Sequence, residues 1–248
     1  MNELFAIRTH RDVRLLVYLP WWDAGILHGM TLADLDCKGD PPVKAVQSLC
    51  AALDVADLAA PRQVHGAHAW DLRRADLIEG LLKTRGELFK SVEGDALIAP
   101  SQQPLLDRRL AFGVLAADCV PIMVRAVNGW AAIHAGWRGL ACGIISAALA
   151  HLEDPVEAAI FAAAGGDAYE VGREVIDAIG RSAVYREDPK GGYLLDTAAT
   201  AANQVREVMA HHPVERSDIC TIRDNRFHSF RRQGESCGRS VTFVVPAG

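Results

Sequence analysis

A cysteine and a histidine stand at the edges of two apolar runs in residues 116–140, AADCVPIMVRAVNGWAAIHAGWRGL. A hydrophobic core needs neither Cys119 nor His134, and a third candidate donor, His65, precedes a glycine in a predicted loop. One cysteine and two histidines suit Zn²⁺, and three protein ligands leave a fourth coordination position open for water. The spacings of 54 and 15 residues match no compact zinc motif. A buried free cysteine and a hydrogen-bonded core histidine therefore stay open as alternatives.

Arginine side chains are the second group that could do chemistry. Arg138 is expected at the start of a helix, where free N–H groups and the helix dipole favour an anion. Residues 223–240, RDNRFHSFRRQGESCGRS, add further arginines beside Phe227 and Phe230. Arginine binds phosphate through two parallel hydrogen bonds, and a phenyl ring can stack on a base. A solvated charged loop is the alternative interpretation.

The pair Asn128-Gly129 separates two apolar runs and predicts a β-hairpin with a two-residue turn. In that register His134 lies opposite Met123, and Cys119 lies on the same face of the sheet. Four residues of ideal strand would separate the cysteine from the histidine by roughly 13 Å, too far to share an ion. A shared site therefore requires a bend around residues 118–121, where a proline cannot donate to a strand ladder.

The rest of the chain alternates strand-like and helix-like patterns without a clear linker. Helical periods are found in residues 41–53 behind two prolines, 140–153 and 197–211. Short apolar runs typical of strands are found in residues 15–20, 95–100, 110–116 and 240–245. This interleaving predicts one α/β domain.

Composition bounds the class of protein. Half of the 248 residues are hydrophobic, which is enough for a sizeable core. A net charge of -5 without a long basic run argues against nucleic acid as the main partner. No apolar run approaches the roughly 18 residues of a membrane span, and the six cysteines lack the short spacings of a disulfide framework. We therefore expect a globular cytoplasmic protein with reduced thiols.

Several short motifs together make the chain similar to a known family. The matching segments are QVHG (63–66), GDAL (94–97), ADCVPIMV (117–124), HAGWRG (134–139), YEVG (169–172), FHSFRR (227–232) and GR (238–239). The chain resembles the YfiH-like family, also labelled laccase-domain or multicopper polyphenol oxidase proteins, over roughly residues 60 to 245. The resemblance implies a single domain over residues 1–248, an α-β sandwich with mixed sheets. It also implies zinc ligands at His65, Cys119 and His134.

The same resemblance implies a purine nucleoside enzyme. Its reactions would be phosphorolysis of adenosine, inosine and methylthioadenosine, together with deamination of adenosine. A nucleoside and phosphate are the partners this implies. The candidate catalytic residues are Cys119, His134, His65 and Asp118. The candidate substrate-binding residues are Gln63, Arg138, Ser229, Arg231 and Arg239. For Asp118 the alternative role is a turn residue that caps local N–H groups.

The chain departs from the family pattern in two places. Asp167 and Ala168 stand where the family usually carries paired cysteines, and the family's glycine-rich N-terminal stretch is not recognisable in residues 27–36. Both regions are expected to shape the substrate pocket. Substrate preference, and activity itself, can therefore differ from those of the family.

Three other functions remain open. Cys119 and His134 could form the nucleophile and base of a cysteine hydrolase. Copper-dependent phenol oxidation is disfavoured, because a multicopper centre needs many imidazoles, usually as His-x-His pairs. None of the nine histidines belongs to such a pair. One cysteine with two histidines still suits a single copper ion. A non-catalytic interaction domain, with a structural metal or none, is the third alternative.

Overall fold

Two β-sheets packed face to face form the centre of the molecule. The structure is a computed structural model, and it describes residues 2–39, 43–85, 87–102 and 109–247. The first sheet has seven strands. In spatial order they are β1 (Phe5–His10), β2 (Val13–Tyr18), β3 (Leu27–Thr31), β16 (Ser240–Val245), β8 (Leu110–Ala116), β4 (Asp57–Arg62) and β6 (Phe89–Glu93).

The second sheet has six strands, and a small third sheet has three. The six are β15 (Val214–Arg216), β11 (Pro155–Ile160), β9 (Val120–Ala126), β10 (Gly129–Ala135), β7 (Ala96–Ala99) and β5 (Ala69–Asp71). The three are β12 (Glu170–Val171), β14 (Tyr193–Leu195) and β13 (Tyr185–Glu187). Both large sheets combine antiparallel pairs with parallel ones, such as β4 with β8 and β5 with β7.

Short helices connect and cover these strands. They are α1 (Leu19–Asp23), α2 (Lys44–Leu53), α3 (Ala75–Arg85), α4 (Trp137–Cys142), α5 (Ile144–Leu149), α6 (Arg173–Ile179), α7 (Thr197–Val208) and α8 (Phe230–Gln233). Within the described ranges, none of these helices combines the length and the apolar character needed to cross a bilayer.

The side chains of the central strands are apolar on both faces. In β10, Trp130 and Ala132 pack toward the seven-stranded sheet, whereas Ala131 and Ile133 pack against α4, α5 and α7. Helix α2 covers the outer face of the seven-stranded sheet. Strands buried on both faces show continuous apolar runs rather than strict alternation. The layers are therefore helix, sheet, sheet and helices, and the predicted single-domain α/β sandwich with mixed sheets is confirmed.

The predicted helices are largely present. The helix predicted over residues 197–211 is α7, which spans Thr197–Val208. Asp196 caps its start, and the Asp196 side chain accepts a hydrogen bond from the backbone of Ala199 at 2.8 Å. The single helix expected over residues 140–153 is two helices, because Gly143 takes a left-handed φ of 79° that ends α4. Residues 44–53 form α2, and the two prolines expected to start it, at 41 and 42, lie outside the described residues.

The predicted hairpin is present, but its register is wrong by two positions. The turn is at residues 127–128, so Gly129 pairs with Ala126 and His134 lies opposite Pro121 rather than Met123. Gly129 is not a turn residue, because its Cα passes close to the neighbouring strand β7. A Cβ at this position would lie 2.3 Å from the carbonyl oxygen of Ala99. The close approach of β7 requires a glycine at this position of β10. The turn signal between β9 and β10 alone therefore could not predict the register.

Gly129→Ala should therefore destabilise the protein. A methyl group 2.3 Å from a backbone oxygen forces β10 and β7 apart, and overpacking of this kind costs about 1–3 kcal/mol. Gly80→Ala in α3 is the matched control, since its added Cβ meets nothing within 4 Å and alanine is favoured in a helix by about 1 kcal/mol. Urea unfolding would measure both variants; an unchanged midpoint for Gly129→Ala would contradict the close approach.

His28 in β3 should make stability depend on pH. Its ring is fully buried, with Nε2 accepting from the Tyr18 backbone at 3.0 Å and Nδ1 donating to the Ile26 carbonyl at 2.8 Å. Burial lowers the pKa of His28 to about 4 from 6.5. The unfolded chain therefore takes up the proton first, so this contribution falls between pH 6.5 and about 4, by roughly 3 kcal/mol at most. His28→Leu should be less stable at every pH. Its unfolding free energy, measured by urea unfolding, should lose the part of the pH dependence that His28 contributes between pH 6.5 and about 4.

Candidate metal centre and its cleft

Three side chains from separate parts of the chain meet at one end of the interface between the sheets. His65 follows β4, Cys119 precedes β9, and His134 is the penultimate residue of β10. Their donor atoms all lie within 4.8 Å of one another. His65 is exposed, Cys119 is half-buried and His134 is 3 % exposed. The group therefore has one open side, and these three residues could hold a metal ion.

The observed hairpin register explains how the cysteine reaches the histidine. Because His134 lies opposite Pro121, Cys119 is only two strand residues away instead of four. The chain also bends at residues 117–119, where Asp118 takes a left-handed φ of 87°. Gly136 leaves room for the meeting, since a Cβ there would lie 3.0 Å from both the Cys119 sulfur and the His65 ring.

Asp95, at the start of the GDAL segment, holds both histidines in place. Its fully buried carboxylate accepts hydrogen bonds from His134 Nδ1 at 2.9 Å and from the backbone N–H groups of His65 at 2.9 Å and Gly66 at 2.7 Å. Burial alone would raise the pKa of Asp95, but these hydrogen bonds outweigh it and lower the pKa. A carboxylate only accepts, so Nδ1 of His134 carries the proton and Nε2 remains as the ligand atom.

Asp95 was not among the site residues predicted from the sequence. The sequence offers only a weak signal for it, an acidic residue directly before the apolar run of β7; its full burial is seen in the structure alone. A buried carboxylate requires partners, and here the partners are two candidate metal ligands.

Cys119 and His134 shift each other's pKa. Burial alone would raise the pKa of Cys119, but the charge and hydrogen bond of His134, together with His65, lower it to about 6. Burial alone would lower the pKa of His134, whereas Cys119 and Asp95 raise it to about 9. The thiolate, which is the metal-binding and nucleophilic form of cysteine, is therefore favoured near neutral pH.

A cleft of about 740 Å³ opens over the three donors. Its size suits a small organic ligand. Among its described lining residues the only carboxylate is Asp118, whereas six side chains are cationic: Lys38, Arg62, Lys90, Arg138, Arg231 and Arg239. The cleft therefore attracts anions, although the whole chain carries a net charge of -5.

Three of the arginines predicted to bind substrate lie against aromatic rings in this cleft. The guanidinium groups lie 4.3, 4.8 and 5.9 Å from the ring centroids in the pairs Arg138–Trp137, Arg231–Tyr169 and Arg239–Phe230. Stacking of this kind holds an arginine in place while leaving N–H donors for a ligand. Trp137 and Tyr169 were not among the site residues predicted from the sequence.

Asp118 connects the metal centre to the C-terminal arginines. One carboxylate oxygen accepts from Thr221 Oγ1 at 2.7 Å, and the other accepts from the backbone N–H of Arg231 at 2.6 Å. The predicted alternative, capping of local N–H groups, is not what the structure shows, because both donors are distant in sequence. With both oxygens engaged, Asp118 positions α8 beside Cys119.

Gln63 and Ser229 differ from the other predicted substrate contacts. Gln63 lines the cleft, but its amide is engaged at both ends with the Leu115 backbone, at 2.7 Å each. Ser229 is fully buried, and its hydroxyl accepts from the Arg232 backbone at 3.2 Å as the cap of α8. Ser229 therefore does not reach the cleft, contrary to the prediction, because a helix start required its hydroxyl.

The segment that departs from the family pattern lies beside a different cavity. Asp167 lines a cavity of about 440 Å³ together with Cys220, whose sulfur accepts from the Gly165 backbone at 3.3 Å. Residues 27–36 are likewise outside the described lining of the main cleft, which Lys38 joins just after them. The expectation that both segments shape the pocket over the metal centre is therefore wrong for direct contact.

The chain is similar in sequence to several known proteins. A family model described as multi-copper polyphenol oxidoreductase laccase matches residues 40–247. A purine nucleoside phosphorylase of Aquifex aeolicus is 35% identical over 62% of this chain and 71% of its own length. Purine nucleoside phosphorylase YfiH of Escherichia coli is 32% identical over 66% of this chain and 68% of its own.

Solved structures show the same fold. YlmD from Geobacillus stearothermophilus superposes with a TM-score of 0.75 at 24% identity, covering 99% of each chain. The hypothetical protein YfiH of Bacillus licheniformis superposes with a TM-score of 0.74 at 20% identity, covering 98% of this chain and 99% of its own. With the family model matching most of its length, the chain belongs to the multi-copper polyphenol oxidoreductase laccase family, the YfiH-like proteins.

Proposed function

We propose that this protein is a zinc-dependent purine nucleoside phosphorylase of adenosine, inosine and methylthioadenosine, with adenosine deamination as a second activity. The observation that carries the proposal is the group of His65, Cys119 and His134 at the base of a cationic cleft. The names of the related proteins from Aquifex aeolicus and Escherichia coli support the choice of reaction. A cytoplasmic location remains a prediction from the sequence.

The donor set fits zinc. Two imidazoles and one thiolate are ligands that Zn²⁺ prefers, and three protein ligands are typical of catalytic zinc sites. Asp95 leaves His134 Nε2 available, and the lowered pKa of Cys119 favours its thiolate. Bound zinc supplies Lewis-acid activation of a water molecule or of a substrate group. One cysteine and two histidines also suit copper, but the described residues contain one such donor group, which does not support a multicopper centre.

The chain's own residues supply the anion site that phosphorolysis requires. In that reaction a phosphate oxygen bonds to the sugar carbon C1′ while the C1′–N bond to the purine breaks, which gives the free base and a sugar 1-phosphate. Arg138 on α4 and Arg231 on α8 both line the cleft that contains the donor group. Guanidinium groups bind phosphate through two parallel hydrogen bonds. Asp118 keeps Arg231 in position through the start of α8.

A cysteine hydrolase is the second candidate, and one observation favours it. The donor atoms of Cys119 and His134 lie within 4.8 Å of each other, and the pKa of the thiol is lowered to about 6. In cysteine hydrolases, a carboxylate orients a histidine, and that histidine acts as the base for the cysteine nucleophile beside it. Cys119 and His134 have this arrangement. This alternative predicts a covalent adduct on Cys119 and activity that survives removal of the metal.

Chromatography of adenosine incubated with zinc-loaded protein tests the proposal. We expect adenine only when phosphate is present, and inosine with or without it. Dialysis against a chelator should remove both activities, and added zinc should restore them. Activity that survives chelation together with a Cys119 adduct would support the hydrolase, and adenosine left intact in every reaction would refute the phosphorylase.

A further inference from the structure

The side-chain amide and carboxylate groups of the cleft are already engaged by the protein itself. Among the described lining residues, only Gln63 and Asp118 carry such a group. The Gln63 amide is hydrogen-bonded at both ends to the Leu115 backbone. The two oxygens of Asp118 accept from the Thr221 hydroxyl and from the Arg231 backbone. Neither group is therefore left free to select adenine through its amino group.

The bases of the proposed substrates differ at the edge that such groups would contact. Adenine carries an amino group at C6, which donates a hydrogen bond, whereas hypoxanthine carries an oxo group, which accepts one. A site built to hydrogen-bond one of these groups rejects the other by a large factor. Stacking on an aromatic ring does not discriminate in this way, because every base has a π-face. An aromatic platform therefore suits a cleft that takes both adenosine and inosine.

Phe230 is the aromatic side chain of the cleft that is open to such a contact. Trp137 and Tyr169 also line the cleft, but they are half-buried against the helical side of the core. Each has an arginine guanidinium close to its ring centroid, at 4.3 and 4.8 Å. The side chain of Phe230 is 48% exposed, and the guanidinium of Arg239 lies further from its centroid, at 5.9 Å. Of the large hydrophobic residues that are exposed in the described chain, Phe230 alone lines this cleft.

The backbone that carries this ring is fixed relative to the metal centre. Phe230 is the first residue of α8, and the Ser229 hydroxyl caps that helix. Asp118, next to Cys119, accepts from the backbone N–H of Arg231 at 2.6 Å. These contacts hold α8 beside the donor group before any ligand binds, and positioning of this kind lowers the cost of binding.

We propose that Phe230 is the platform on which the purine stacks, so that the cleft recognises the base by the face of its ring and binds adenine and hypoxanthine about equally. This assignment rests on the proposed function for the class of base. Phe227, the other phenylalanine of the segment, is fully buried and is not among the described lining residues of the cleft.

Equilibrium dialysis of the zinc-loaded protein with adenine, hypoxanthine and ribose 1-phosphate, each alone, tests the platform without requiring turnover. Phe230→Leu should weaken the binding of both bases about tenfold, which is the size of effect typical of base–aromatic stacking. Phe230→Trp should retain the binding of both. Ribose 1-phosphate has no base and should bind Phe230→Leu as it binds the unmodified protein.

Three results would overturn the proposal. They are unchanged binding of the bases by Phe230→Leu, an equal loss for ribose 1-phosphate, and a strong preference of the unmodified protein for one base. Tyr185→Leu is the matched control, because Tyr185 is 43% exposed and lines the cavity beside Asp167 instead of the cleft. It should bind both bases as the unmodified protein does, and a tenfold loss there would contradict the assignment to Phe230.

Phosphorolysis of inosine separates this inference from the proposed function. Phe230→Leu should raise KM for inosine about tenfold and leave kcat and the KM for phosphate unchanged, since stacking binds the ground state and the transition state alike. Phosphorolysis by a protein whose base binding does not depend on Phe230 would refute the platform and leave the phosphorylase standing. Base binding that depends on Phe230, without phosphorolysis, would support the platform and refute the phosphorylase.

Discussion

Cys119→Ser should lower the zinc affinity of the protein by more than about 100-fold, since even the loss of an outer partner of a ligand costs 10–100-fold. The thiolate is the strongest zinc ligand of the three. With its pKa lowered to about 6, the Cys119 thiol loses its proton near neutral pH, whereas a serine hydroxyl in its place keeps its proton. Phosphorolysis should fall with the metal, by about 1,000-fold or more in kcat/KM. Zinc titration against a competing chelator and steady-state kinetics would measure the two effects.

Cys142→Ser is the matched control for that substitution. Cys142 is exposed at the end of α4 and is not part of the donor group. The Cys142→Ser variant should bind zinc and turn over substrate as the unmodified protein does. Full zinc content and full kcat/KM in Cys119→Ser would show that the Cys119 thiol neither binds the metal nor takes part in the reaction.

Asp95→Asn should weaken both the metal centre and the fold. The amide replaces one acceptor oxygen with an NH₂ group, which then faces either the donors of His134 and His65 at the Oδ1 position or the donor of Gly66 at the Oδ2 position. A buried carboxylate that accepts several hydrogen bonds contributes about 1.5–3 kcal/mol through each charged bond, and a donor left without a partner costs about 1–3 kcal/mol. We therefore expect a loss of about 3 kcal/mol in unfolding free energy, together with a 10–100-fold loss of zinc affinity.

Two measurements separate the effects of Asp95→Asn. Urea unfolding of the zinc-free protein reports the fold alone, and zinc titration of the still-folded variant reports the ligands. Asp34→Asn is the control, because its ion pair with Arg14 is about half exposed and such pairs contribute about 0–1 kcal/mol. Wild-type zinc affinity in Asp95→Asn would show that the carboxylate does not orient His134.

The layers of the fold could be predicted because the central strands are apolar along their whole length. Runs such as 110–116 and 240–245 are buried on both faces in the structure, as continuous apolar runs imply. The register of the hairpin could not be predicted. Gly129 resembles a turn glycine beside Asn128, but the close approach of Ala99 from β7 requires it within the strand.

The three donors of the candidate metal centre could be predicted from the sequence, whereas the carboxylate that supports them could not. His65, Cys119 and His134 were recognisable from their motifs, and the two-residue change in register removes the distance that had separated them. Asp95 looks in the sequence like an ordinary polar residue before a strand. Its importance comes from hydrogen bonds to residues about 30 and 39 positions away, which no local pattern records.

The candidate substrate contacts were likewise predictable only in part. Arg138, Arg231 and Arg239 line the cleft, as their positions after strands and around α8 indicated. Ser229 does not, since its hydroxyl caps α8. A serine beside arginines is compatible with a phosphate site or with a helix start, and only the helix boundary distinguishes the two.

Phosphorus NMR of zinc-loaded protein with adenosine and inorganic phosphate tests the central claim most directly. The account predicts a new sugar 1-phosphate signal that equals the sum of released adenine and hypoxanthine, is lost in Cys119→Ser and is retained in Cys142→Ser. Adenosine consumed without a sugar phosphate, or a sugar phosphate formed equally by Cys119→Ser, would contradict a zinc-dependent phosphorylase.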